Sequence, residues 1–140
     1  MSIAAILAPL FVQVGLTFVL LFMMGSARFA AVKAGQVKVR DIALGERAWP
    51  PRATQIANTF HNQFETPVLF YALVALAIVT RQADLLFVVL SWVFVAARLA
   101  HAWVYTTSNN VLTRFRIFRA GTGILMLMWA IFAVRILISG

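Results

Sequence analysis

The chain opens on an apolar run that no small soluble fold can absorb: Ile3 to Ala27 is 25 residues without a charged side chain. A helix needs roughly 20 such residues to cross about 30 Å of hydrocarbon, so this segment spans a bilayer with length left over for tilt. Pro9 lies near its start, where a helix tolerates proline best. With 63% hydrophobic and 11% charged residues, the remainder of the 140-residue chain belongs to the same solvent. The run begins almost at Met1 without a basic leader or a convincing small-residue cleavage site, and is expected to be retained as a first span.

The later apolar runs are too short. Thr66 to Thr80 supplies 15 uncharged residues and Leu85 to Ala97 only 13, so both helices must take polar residues into their membrane length. The second span borrows from Ala57 to Pro67, which carries Asn58, His61, Asn62 and Glu65. At about 100° per residue, Asn58, Asn62 and Glu65 fall on one face, flanked by Gln55 and His61, while Phe60 and Phe64 point elsewhere. The third span carries Arg98, His101 and Tyr105 at i, i+3 and i+7, again one face. A carboxylate or guanidinium at the hydrocarbon edge is costly unless it is paired or faces a cavity, so both faces are candidate site surfaces. Pro67 cannot donate to the Gln63 carbonyl and predicts a kink beside the first of them. Gln13, the one strongly polar residue inside the first span, reads as an interhelical contact.

Gly35-Gln36 offers a stop to the first helix, and Gly35 to Arg52 is a polar loop containing Lys38, Arg40, Asp41, Glu46, Arg47 and Pro50-Pro51, with room for a short helical piece. Arg81 to Asp84 permits only a tight connection. Thr106 to Arg119 reads as a third loop, ending in Arg114, Arg116 and Arg119, before a fourth span over Ala120 to Val134. The expectation is an all-α membrane protein of one domain: a four-transmembrane-helix up-down bundle with spans near 3–34, 53–80, 85–106 and 117–138. Its net charge of +8 is a topology signal before it is a nucleic-acid signal. Of the basic residues, only Arg81 and Arg135 lie on the side opposite the first and third connections. Those connections are therefore expected to be cytoplasmic and both termini on the other side, in a multi-pass protein of a bacterial inner membrane. The absence of cysteine excludes disulfides, thiolate metal sites and a protein thiol nucleophile, and no metal is expected.

Four helices leave little room for a polar cavity inside one subunit, so the two polar faces are expected to meet across a helix contact or a subunit contact in an oligomer. Such a cavity offers a carboxylate to an ammonium, guanidinium groups to carboxylates, and a phenol and amides to peptide groups. A zwitterionic, peptide-like ligand matches that set. Glutathione fits it, and brings the thiol that the chain lacks.

Three stretches carry a family resemblance: Gly35-Gln-Val-Lys-Val-Arg40 after the first span, Asn62-x-x-Glu65-x-Pro67 entering the second, and Arg98-x-x-His101-x-x-x-Tyr105 followed by arginines before the fourth. In this order they resemble the MAPEG proteins, the membrane-associated proteins of eicosanoid and glutathione metabolism, which include microsomal glutathione transferases and microsomal prostaglandin E synthase. The resemblance covers most of the chain and implies a four-helix bundle assembled as a homotrimer, with glutathione bound between subunits as co-substrate. It implies that Asn62 and Glu65 hold the backbone and amino group of glutathione, that His101 and Tyr105 line the pocket, that Lys38 meets a carboxylate, and that His61 and Arg98 adjoin it. An arginine near the start of the fourth span would hold the thiolate, and the loop length admits Arg114 or Arg116. Where the prostaglandin synthase branch has arginine, this chain has His61 and Lys38. Lysine lacks the bidentate fork, and histidine is not a fixed cation.

The activity so implied is that of a glutathione transferase or peroxidase. A thiol with a pKa of about 8.5 is only a few per cent thiolate at pH 7, and an arginine within hydrogen-bonding distance, helped by the Tyr105 hydroxyl, would raise that fraction for attack on lipophilic electrophiles or lipid hydroperoxides. Two other readings stand beside it: a scaffold or lipid-binding protein of the same fold without catalysis, and a small proton-coupled exporter. The exporter is disfavoured by a first span without any acid. The partners expected are further copies of the chain, membrane lipids and a lipophilic small molecule, with no nucleic acid.

Overall fold

The computed structural model describes residues 1–45 and 48–140. Glu46 and Arg47, expected in the first loop, lie outside the described residues. Helix α1 covers Ile3–Lys33, α2 Pro51–Asn62, α3 Thr66–Val79, α4 Leu85–Thr106 and α5 Val111–Ser139, with one 3-10 turn at Val39–Ile42. Among the described residues, four helical segments are long and apolar enough to cross a membrane, with α2 and α3 together making the second. They run up and down as a bundle, each antiparallel to the next.

The ends of the helices are set by local chemistry. After α1, the N–H of Gly35 donates to the Val32 carbonyl and that of Gln36 to the Ala31 carbonyl, with Gly35 at φ 75°. This is the left-handed helix stop that glycine adopts without strain. The Ser2 hydroxyl accepts from the Ala5 N–H at the start of α1, and the Asp84 carboxylate accepts from the Phe87 N–H at the start of α4, satisfying donors that a helix leaves open.

The expected loop over Thr106 to Arg119 is corrected to a turn of four residues. Asn109 takes φ 51° and donates its N–H to the Val104 carbonyl to close α4, and the Asn110 side chain accepts from the Thr113 N–H to open α5 at Val111. The arginines therefore ride on a helix that projects beyond the hydrocarbon, which a charge-based span limit cannot register. The expected kink at Pro67 is a full break. Gln63, Phe64 and Glu65 form short i−3 bonds, to Phe60, His61 and Asn62, and Glu65 leaves the helical region at φ −91°, ψ −106° before α3 restarts with proline in its first turn.

The core fills the bundle centre. Phe70, Leu73, Val74 and Ala77 of α3 pack on Phe94 and Val95 of α4 with Ile6, Leu125 and Met128, and a smaller cluster joins Met24 of α1 to Ile56 and Ala57 of α2. Gly121 lets α5 approach α4 closely, since a Cβ there would stand 3.2 Å from that of Ala97. Gln13 makes the interhelical contact expected of it, its amide donating to the Gln63 side chain at 2.8 Å beside the helix break. Trp129 bridges α5 to α3 through the Leu69 carbonyl, 3.2 Å away.

Candidate functional site

The break between α2 and α3 creates the site. Asn62 ends one helix and Glu65 stands at the start of the next, so the carbonyls of α2 and the N–H groups of α3 both face this point. A helix C-terminus favours a cation and an N-terminus an anion. The chain supplies both: Arg98 reaches across from α4 and donates to the Asn62 carbonyl at 3.3 Å and to the Asn62 side-chain oxygen, while Glu65 lies at the start of α3. With its oxygen held by Arg98, the Asn62 amide turns its nitrogen outward and donates to Glu65 at 2.8 Å. Arg98 is 2% exposed, and its Nε and second terminal nitrogen have no hydrogen-bond partner among the described residues. No ion pair joins Arg98 to Glu65 among the described residues, and the two are linked through the Asn62 amide.

The remaining wall comes from α4 and α5. His101 is buried, its Nδ1 has no hydrogen-bond partner among the described residues, and its ring packs against Tyr105 and Phe118 with centroids 5.7 Å away in each case. The Arg114 guanidinium lies 3.9 Å over the Tyr105 ring and is tied to the Asn109 side chain at 2.8 Å. Two contacts thus fix a cation with which, among the described residues, no carboxylate pairs, and its guanidinium can offer further N–H groups to an anion. Asn62, Glu65, His101, Tyr105 and Arg114 line one open cleft of about 230 Å³, closed on its apolar side by Val111, Phe115 and Phe118.

Other residues expected at the site lie elsewhere in the chain. Arg116 is exposed and, two residues from Arg114, points about 200° away around α5. His61 and Asn58 line a separate cleft with Arg28, Thr54 and Trp49, so the single polar face expected across Asn58, Asn62 and Glu65 is divided. Gln55 points to α4 instead, donating to the Tyr105 carbonyl at 2.7 Å. Lys38 is exposed at the start of the 3-10 turn and does not line the cleft. Phe115 and Phe118 were not singled out from the sequence. Had Asn110 been read as a helix cap, the spacing Val111, Arg114, Phe115, Phe118 would have shown them on one face.

The sequence model of the MAPEG family matches residues 6–134. The chain belongs to the MAPEG family. Its four-helix membrane bundle is that family's architecture, and MAPEG proteins are in general glutathione-dependent. No curated protein and no solved structure matched the chain.

Proposed function

We propose that this MAPEG protein is a glutathione-dependent transferase or peroxidase, working as a homotrimer with the first and third connections in the cytoplasm. The observation that carries the reading is the meeting, in one cleft, of a Glu65 carboxylate held by the Asn62 amide with an anchored Arg114 guanidinium. Glu65 receives the glutathione ammonium and Asn62 its peptide groups. The sulfur meets Arg114 and the Tyr105 hydroxyl, which favour thiolate over thiol. His101, whose Nδ1 has no partner among the described residues, completes the polar wall.

In transfer, the thiolate lone pair forms a carbon–sulfur bond while the electrophile's leaving oxygen or halide departs with the electron pair. In peroxide reduction, the thiolate takes the terminal oxygen, releasing the lipid alkoxide, which takes a proton to become the alcohol. A second glutathione then reduces the sulfenic acid formed, yielding glutathione disulfide and water. The lipophilic partner approaches along the apolar groove of Thr66, Leu69, Leu125, Met126 and Trp129, which opens to the bilayer face.

One observation favours the non-catalytic scaffold: with His61 and Lys38 outside the cleft, Arg114 is, among the described residues, the one arginine lining it, against two ligand carboxylates and a thiolate. The ultraviolet thiolate difference spectrum decides between them. Titrating glutathione into detergent-purified protein is expected to give a saturable thiolate band that Arg114→Ala abolishes and Arg116→Ala leaves intact. No band at millimolar glutathione overturns the enzyme reading in favour of the scaffold.

A further inference from the structure

The outer face of α1 and α2 forms a second kind of cleft. Its volume is about 620 Å³, its walls are Val19, Phe22, Met23, Ala27 and Ile56, and Arg52 closes one end. Depth follows from the sequence. The first charge in α1 is Arg28, so Ser26 and Ala27 stand at the edge of the hydrocarbon, and Val19 lies about 12 Å deeper along the helix. Arg52, in the first turn of α2, shares the cleft with Ser26 and Ala27. Its guanidinium is therefore at headgroup depth, above a wall of hydrocarbon.

Arg52 donates one N–H to the Thr106 carbonyl, which anchors the guanidinium to the end of α4. The other donors of a guanidinium form a fork matched to phosphate oxygens, and among the described residues no carboxylate pairs with Arg52. Phe22 is 70% exposed and Val19 56% exposed, so the apolar wall is open to a methylene chain. A zwitterionic choline headgroup would carry its cation toward a membrane side that already holds Arg28, Lys33, Lys38 and Arg40. A headgroup with net negative charge meets no such repulsion.

We propose that this groove binds one anionic membrane phospholipid, with its phosphate on Arg52 and an acyl chain along Val19, Phe22, Met23 and Ile56. The site lies apart from the Asn62–Arg114 cleft and is independent of any glutathione chemistry.

The test uses the full chain in mild detergent, mixed with equal amounts of phosphatidylglycerol and phosphatidylcholine bearing the same dioleoyl chains, with retained lipid counted by native mass spectrometry. Phosphatidylglycerol is expected to be retained over phosphatidylcholine by roughly fivefold, about what one basic side chain supplies near a membrane surface. Arg52→Gln removes the preference, Arg52→Lys keeps part of it, and Arg40→Gln, in the exposed loop, changes nothing. Val19→Trp, on an exposed position, fills the groove and lowers retention of both lipids with the charge intact, so the proposal stays testable if Arg52 variants misfold. No headgroup preference in the wild type, a preference that survives Arg52→Gln, or undiminished retention in Val19→Trp each overturns it. Displacement of the lipid by millimolar inorganic phosphate also overturns it, since the site would then be one for soluble anions.

Discussion

Arg98 acts through another residue. Its contacts are with Asn62, and they decide which end of an amide faces Glu65: were the amide reversed, its oxygen would oppose the carboxylate. Arg98 is thus a positioning residue. Arg98→Met should leave the last carbonyl of α2 and the Asn62 oxygen without a donor, costing about 1–3 kcal/mol in thermal unfolding, and should weaken glutathione binding about tenfold. Arg98→Lys, which keeps one donor and the charge, should recover part of the affinity. Equal affinity in the wild type and Arg98→Met would show that the amide needs no such hold. At this scale, spacing alone was enough to bring Arg98, His101 and Tyr105 onto one face, because α4 is a regular helix. It failed for Asn58, which shares α2 with Asn62 yet lines the cleft of Arg28 and Trp49, because helical phase places a side chain on a face without saying which neighbour that part of the face meets. The choice between Arg114 and Arg116 turned on where α5 begins, a matter of two asparagines whose conformations sequence periodicity does not report.

Between elements, Pro67 is the determinant that holds Asn62 and Glu65 at a helix junction. Pro67→Ala restores an N–H able to reach the Gln63 carbonyl and so rejoins α2 to α3. The expected result is unchanged or raised thermal stability with glutathione affinity down by about tenfold or more, because the two side chains rotate out of register. Loss of both stability and binding would mean that the break supports the fold as well as the site. The α4–α5 contact sets a second limit. Gly121→Leu drives a branched side chain into Ala97 and should cost about 1–3 kcal/mol, whereas Gly123→Ala, with open space around it, should be tolerated. At the far end of the same helix pair, Arg135 bonds Asp84 at 2.8 Å. The Asp84 carboxyl is held below its usual pKa, first by the Phe87 N–H and then, against the opposing effect of partial burial, by Arg135. A carboxylate with a lowered folded pKa stabilises above its unfolded value, about 3.9, and that contribution is lost as pH falls through the folded value. Asp84→Asn keeps the helix cap, so it should cost only about 0.5 kcal/mol at neutral pH, and its melting curve should merge with that of the wild type in acid. A difference that persists below pH 3 would assign the effect to the cap. The four crossings and the tight α3–α4 connection were legible because hydrocarbon thickness fixes helix length. The α4–α5 turn was not, because arginines were counted as loop when they extend a helix past the membrane.

For the molecule as a whole, the cleft presents Asn62, Glu65, His101, Tyr105 and Arg114 from a single chain, yet Lys38 sits exposed on a different part of it. In the proposed homotrimer, a lysine so placed would reach a ligand in this cleft from a neighbouring copy. In a closed ring, each site would then pair the cleft of one subunit with Lys38 of the next. This arrangement makes complementation possible between two defective proteins. Lys38→Ala and Arg114→Ala, each poorly active alone, would be dissociated, mixed in equal amounts and reassembled. Random assortment gives about one quarter of the sites an intact cleft beside an intact Lys38, so about one quarter of wild-type thiolate signal should return. If both halves of the site came from one chain, mixing would restore nothing, because every subunit would carry one lesion or the other. No recovery, with mixed assemblies confirmed by mass, would remove Lys38 from the site and leave the cleft to bind its ligand with the residues of a single subunit.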